Sequence, residues 1–112
     1  MPLNAYQSGA RTSARYPEHA RIVYPALKLA GEAGEVAEKL GKLMRDEGYV
    51  PGAALTAVQT EALGKERGDV LWYVANLAAD LGLSLEDVGA MNLAKLASRK
   101  ERGVIGGSGD NR

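Results

Sequence analysis

The chain has 112 residues, 46% of them hydrophobic, which suits one domain with a modest core, and its 14 basic and 14 acidic residues cancel, so duplex nucleic acid and anionic membrane are not expected partners. The absence of cysteine excludes a disulfide framework, a thiolate zinc site and a cysteine nucleophile, and His19 is the single histidine. No N-terminal apolar stretch resembles a signal peptide and no run approaches a membrane span in length, so a cytosolic protein is expected.

Helical periodicity runs through most of the chain and strict alternation is nearly absent, which predicts an all-α fold. Asn4 followed by Gln7 has the form of a capping box and predicts a first helix over residues 4–14. The segment "RYPEHARIVYP" reads as a connection, with Pro25 suited to a first helical position. An apolar pattern over residues 26–44 predicts a second helix that ends at Gly48, with Pro51 and Gly52 behind it. Thr56 and Gln59 form a second capping box, from which a third helix should reach Leu81 and stop at Gly82. Ser84, followed by Glu86 and Asp87, starts a fourth helix that carries to about Arg99. The expected organisation is one domain over residues 1–101 and a flexible, glycine-rich tail over residues 102–112. Four amphipathic helices in so short a chain leave apolar surface for a partner, so a four- to five-helix bundle that forms a homodimer or homotetramer is expected.

The second helix carries the unusual stretch "LAGEAGEVAEKL", with Glu32, Glu35 and Glu38 at intervals of three and glycines at 31 and 34. Each interior glycine costs about 1 kcal/mol relative to alanine, and like charges at this spacing repel. At about 100° per residue, Leu29, Ala33, Val36, Leu40 and Leu43 share one face, with Glu32 at its edge and Glu35 further round. On the third helix Leu63, Val70, Val74, Leu77 and Leu81 form the apolar stripe, bordered by Glu66 and Asp69, and Tyr73, Asn76 and Asp80 extend that flank. Packing the two stripes together would bring Glu32, Glu35, Glu66 and Asp69 along one seam. Two like charges about 4 Å apart repel by roughly 4 kcal/mol at an effective dielectric of 20. A divalent cation relieves that repulsion, and magnesium, or manganese in its place, suits oxygen ligands and leaves positions for substrate phosphates. The glycines would let a helix or a phosphate approach closely. The plainer alternative is a solvated acidic face, with Lys28, Lys39 and Lys42 neutralising the helix.

"LAGEAGEVAEKL", "KERGDVLWYVANLAADLGLSLEDV" and "MNLAKLASR" together contain ExxE, ExxD, a tyrosine four residues beyond the aspartate, and NxxK on the following helix. In this combination, over about residues 4–99, the chain resembles the all-α nucleoside triphosphate pyrophosphohydrolases, specifically the short MazG-like members related to dimeric dUTPases and dCTP pyrophosphatases. The resemblance implies that Glu32, Glu35, Glu66 and Asp69 bind magnesium, and that Tyr73, Asn92 and Lys95 touch the substrate's sugar or phosphates, with Arg99 assisting. Gln7 and Tyr16 fall near positions where the family contacts the base. The segment between the two acidic pairs is toward the long side for the motif, and the extra length falls in "DEGYVPGAAL".

The reaction implied is cleavage of a nucleoside triphosphate between its α and β phosphates, giving the monophosphate and pyrophosphate and clearing surplus or aberrant nucleotides. Metal ions would neutralise the triphosphate, a carboxylate among Glu32, Glu35 and Glu38 would take the proton of the attacking water, and Lys95 would stabilise charge developing on the pyrophosphate. Two rivals make different demands: a non-catalytic helical interaction module keeps its acids solvated, and a nucleotide or metal sensor binds without turnover.

Overall fold

Two long helices joined by a short loop form the spine of the molecule. The computed structural model describes residues 1–110, with α1 at Leu3–Thr12, α2 at Val23–Glu47, α3 at Ala57–Asp80 and α4 at Leu85–Glu101; a 3-10 turn, Glu18–Ala20, lies in the first connection. Among the described residues there is no strand, and the protein is all-α as its periodicity predicts. Residues 111 and 112 of the expected tail lie outside the described residues.

The spine is an antiparallel hairpin. Glu47 accepts a hydrogen bond from Gln59 at 3.3 Å, Lys39 pairs with Glu66 at 2.8 Å, and Asp80 accepts from the Ile22 N–H at 3.0 Å, so the two helices stay in one register from end to end. Local chemistry sets the ends. Gly48 takes the left-handed conformation (φ 70°), which turns its own N–H and that of Tyr49 back onto the Leu43 carbonyl and closes α2. At the start of α3 the Thr56 hydroxyl accepts from the Gln59 N–H at 3.1 Å while the Gln59 side chain accepts from the Thr56 N–H at 2.9 Å, the reciprocal cap expected from the sequence.

The other capping pair behaves differently. Asn4 and Gln7 do not cap α1, which starts at Leu3 behind Pro2 with no side-chain cap. They reach across to α4 instead: Gln7 Oε1 accepts from the Leu85 N–H and Asn4 Oδ1 from the Glu86 N–H, each at 3.0 Å. With Ser84 accepting from the Asp87 N–H at 3.0 Å, the first three donors of α4 are satisfied, two of them by side chains 78 and 82 residues away. α1 is therefore a clamp on the turn between α3 and α4.

The core lies where these elements meet. Ala10, Ala75 and Leu85 are buried there with Tyr6, Trp72 and Val74 packed around them, while Leu43 and Leu63 are buried at the loop end of the hairpin. The rest of the expected apolar face on α2 is only partly covered: Leu29, Val36 and Leu40 are half-buried and Ala33 is exposed. Among the described residues nothing comes close to the interior glycines of α2, since a Cβ built on Gly31, Gly34 or Gly41 would meet nothing within 4 Å. Leu27 (70% exposed) and Leu93 (69%) stand in solvent. The accessible surface is 7650 Å2, whereas a compact protein of 11.8 kDa exposes about 5,900 Å2. The radius of gyration is 17.0 Å against about 13 Å for a compact chain of this length. Among the described residues no helix is long and apolar enough to cross a membrane.

Asp80 was expected on the open flank of α3 beside the acids, but its side chain is fully buried and joins three elements. One carboxylate oxygen takes Arg11 at 2.8 Å and Arg21 at 3.4 Å; the other takes the Tyr16 hydroxyl at 2.9 Å and the Ile22 N–H. Asn76, also buried rather than flanking, accepts from Arg11 at 3.2 Å and donates to the Trp72 carbonyl. These bonds hold a strained corner. Ile22 has φ 68° and ψ −57°, with the Val23 N–H on the Arg21 carbonyl at 2.7 Å, a positive-φ γ-turn that disfavours a β-branched residue by about 1–3 kcal/mol. The reversal at Ile22 starts α2 at Val23, two residues before the proline expected to open it.

Burial opposes ionisation of Asp80, but the Ile22 N–H, the Tyr16 hydroxyl and Arg11 outweigh it and hold the carboxyl below its ordinary value of 3.8. A depressed folded pKa means that this stabilisation is present at and above the ordinary aspartate range and is lost as pH falls below it. Asp80→Asn should therefore cost about 3 kcal/mol in urea unfolding at pH 7. The gap between variant and wild type should narrow below pH ~4; equal stability at pH 7 would show that the carboxylate is not what holds the corner.

Candidate active site

The register of the hairpin places Glu32 of α2 opposite Glu66 and Asp69 of α3. One carboxylate oxygen from each lies within 4.8 Å of the others, with Glu32 and Glu66 half-buried and Asp69 exposed. Glu32 comes from one helix and the other two from successive turns of the next, so helix packing alone makes the group. Glu66 is paired with Lys39 at 2.8 Å; among the described residues Glu32 and Asp69 have no cation within ion-pair distance. Glu35, the fourth acid of the motif, is exposed and lies outside the close group; the Lys39 ammonium is pushed up above its ordinary pKa first by its hydrogen bond to Glu66, with the charge of Glu35 adding to it. Glu38 is on the solvated side, bound to Lys42 at 3.1 Å, and that hydrogen bond lowers its pKa.

Beside the acids is a cleft of about 400 Å3 lined by Ser13, Glu32, Asp69, Trp72 and Tyr73. It shares Ser13, Trp72 and Tyr73 with a second cleft of about 320 Å3, whose other walls are Arg15, Tyr16, Pro17 and Tyr24. The aromatic walls support one another. Tyr16 and Tyr24 lie 5.3 Å apart, Tyr24 and Tyr73 6.3 Å, and Trp72 stands edge-on to Tyr73 at 4.8 Å. Trp72 is fixed by its indole N–H on the Ser13 hydroxyl at 2.9 Å, and Tyr16 by Arg11 and Asp80. Burial, then Tyr24 and the charges of Glu32 and Asp69, push the Tyr73 hydroxyl up to about 12, so it is a neutral hydrogen-bond donor at physiological pH. A polar, acidic mouth thus continues into an aromatic recess, and the two clefts together are of the size of a small-molecule pocket.

The remaining residues expected at the site stand elsewhere. Gln7 has its amide occupied by the Ala75 and Leu83 carbonyls and the Leu85 N–H, so the structure gives it a part in joining α1 to α4. Asn92, Lys95 and Arg99 lie along α4, outside both clefts. Asn92 is exposed. Lys95 and Arg99 both pair with Asp110 of the tail, at 3.1 and 3.3 Å, and Arg99 also donates to the Gly109 carbonyl. Sequence reasoning missed Trp72 and Tyr24 as walls of the recess; their signal was an aromatic residue beside Tyr73 and another at the start of α2, which periodicity alone reads as packing.

The carboxylate group fits a divalent metal ion on chemical grounds, since three hard oxygen ligands converge from two helices, two of them on carboxylates with no cation of the described residues at ion-pair distance. An all-α hairpin that brings Glu32 of its ExxE against the ExxD of the next helix, in a chain with a single histidine, lacks the paired Glu-x-x-His motifs of an oxygen-activating bundle. The family model of the MazG nucleotide pyrophosphohydrolase domain matches residues 25–104, and the chain belongs to that family. It is also similar, at 44% identity over the full length of both chains, to the Gene 37 protein of Mycobacterium phage L5. No solved structure matches the chain.

If the acids are held together against their own repulsion, removing one should not weaken the fold. Asp69→Asn should leave thermal stability in EDTA unchanged or raise Tm by about 2–4 °C. A clear fall in Tm would mean that Asp69 makes stabilising contacts of its own.

Proposed function

We propose that this protein is a divalent-metal-dependent nucleoside triphosphate pyrophosphohydrolase, cleaving between the α and β phosphates to release a monophosphate and pyrophosphate. The observation that carries this reading is the convergence of Glu32, Glu66 and Asp69 at the mouth of an aromatic recess, in a chain of the MazG family. Magnesium, or manganese in its place, held by these three acids and Glu35, would neutralise the triphosphate and activate a water for attack on the α-phosphorus.

The chain's own residues then divide the work. The rings of Tyr16, Tyr24 and Trp72 would stack on the base, and the neutral Tyr73 hydroxyl would donate to a sugar or phosphate oxygen. One carboxylate among Glu32, Glu35 and Glu38 would take the proton of the attacking water as the bond to the bridging oxygen breaks. Asn92 and Lys95 would touch the sugar or phosphates, Lys95 stabilising the charge that develops on the leaving pyrophosphate and Arg99 assisting. In one protomer α4 stands apart from the clefts, so we place these three at the site through assembly of a homodimer, which can pair again into a homotetramer. The excess surface, the exposed leucines of α2 and α4 and the uncovered helix glycines support that assembly. A monomer of 11.8 kDa in sedimentation would rule it out. The nucleotide pool of the cytosol would supply the substrate, and removal of surplus or aberrant nucleotides is the service rendered.

Pyrophosphate release from a panel of standard and modified nucleoside triphosphates, with and without magnesium, tests the reading. Wild type should release monophosphate and pyrophosphate only with metal, and Glu35→Gln should lower kcat at least about a hundredfold. Nucleotide binding without product would identify a sensor; neither binding nor product would leave a helical interaction module.

A further inference from the structure

One cation at the acid group has no part in the scheme above. Lys39 stands on α2 one turn beyond Glu35, and its Nζ lies 2.8 Å from Glu66 Oε1. The contact crosses from α2 to α3 and is partly shielded, the Lys39 side chain being 41% exposed and that of Glu66 20%. Lys42, three residues along, differs in kind: it pairs with Glu38 on its own helix, and both ends are open to solvent. Of the α2 lysines able to offset acidic charge, Lys39 thus engages one of the three converging carboxylates directly.

We propose that Lys39 is the built-in counter-ion of the acid group, and that its ammonium and a divalent cation compete for Glu66. The inference rests on the reading of Glu32, Glu66 and Asp69 as metal ligands. Its physical basis is that an oxygen holding an ammonium at hydrogen-bond distance has part of its charge already satisfied, and that an ammonium and a metal ion on one carboxylate repel each other. Two consequences follow. Lys39 lets α2 and α3 pack without metal by cancelling one of three like charges, and it weakens the affinity of the site so that occupancy follows the free metal concentration.

The test is Mn2+ titration followed by the EPR signal of the free ion, on protein first stripped with EDTA. Lys39→Met should lower the Mn2+ Kd about three- to tenfold, reduce Tm in EDTA and enlarge the rise in Tm that Mn2+ produces. Lys39→Arg, which keeps the charge, and Lys42→Met, which removes a charge from the neighbouring pair, should both stay within about twofold of wild type. Should Lys39→Met fail to fold, Lys39→Gln takes its place. An unchanged or weaker Kd in the neutral Lys39 variant overturns the proposal, as does equal tightening in Lys42→Met, which would reveal a diffuse field in place of a specific pair. Asp69→Asn separates the two levels. If wild type binds Mn2+ and Asp69→Asn does not, the metal reading stands and Lys39 alone is judged; if wild type shows no binding, or Asp69→Asn binds as well, both fail together.

Discussion

The site depends on the register in which α2 runs back along α3. A slip of one residue would rotate Glu32 by about 100° away from Glu66 and Asp69. The register is fastened at both ends and once in the middle: the cap of α3 and the Glu47–Gln59 bond at the loop, Lys39 to Glu66 midway, and Asp80 to Ile22 at the far end. Like charges pressed together in the same seam oppose the packing, so beyond the Lys39–Glu66 pair the fastening comes from outside the acid group. Asp80 supplies much of it, since its buried carboxylate unites α1, α3 and the corner before α2.

The same corner connects stability to the shape of the recess. Tyr16 gives its hydroxyl to Asp80 and its ring to the aromatic recess, and Arg11 binds both Tyr16 and Asp80. Residues that look purely structural therefore set the shape of the pocket. Strain at Ile22 follows the same logic: the chain must reverse sharply to start α2 close enough for Tyr24 to meet Tyr16 and Tyr73, and the Asp80 hydrogen bond holds the unfavourable backbone in place. On α2 and α4 large apolar side chains, Leu27, Met44, Met91 and Leu93 among them, stay exposed within one chain.

Much of this was legible in the sequence because it rests on local signals. The Thr56–Gln59 cap, the Gly48 and Gly82 stops and the acidic pairs at the edges of apolar stripes all depend on residues within a turn or two of one another. What escaped notice depends on long-range partners. Asn4 and Gln7 have the spacing of a self-cap but serve α4, and nothing nearby distinguishes the two uses. Asp80 and Asn76 sit on the helical wheel beside the acids, and partners more than fifty residues earlier meet them inside: Arg11 for both, and Tyr16, Arg21 and Ile22 for Asp80. Gly31 and Gly34 signalled a close approach, and among the described residues of one chain nothing makes it.

The central claim is that Glu32, Glu66 and Asp69 together hold a metal ion at the mouth of the aromatic recess. An anomalous-scattering map from crystals grown with Mn2+ and a non-hydrolysable nucleoside triphosphate tests it most directly. The expected result is a manganese peak about 2.0–2.2 Å from an oxygen of each of the three carboxylates, with the nucleotide's phosphates at the same ion. A peak elsewhere, or none while Lys39 still holds Glu66, would contradict it.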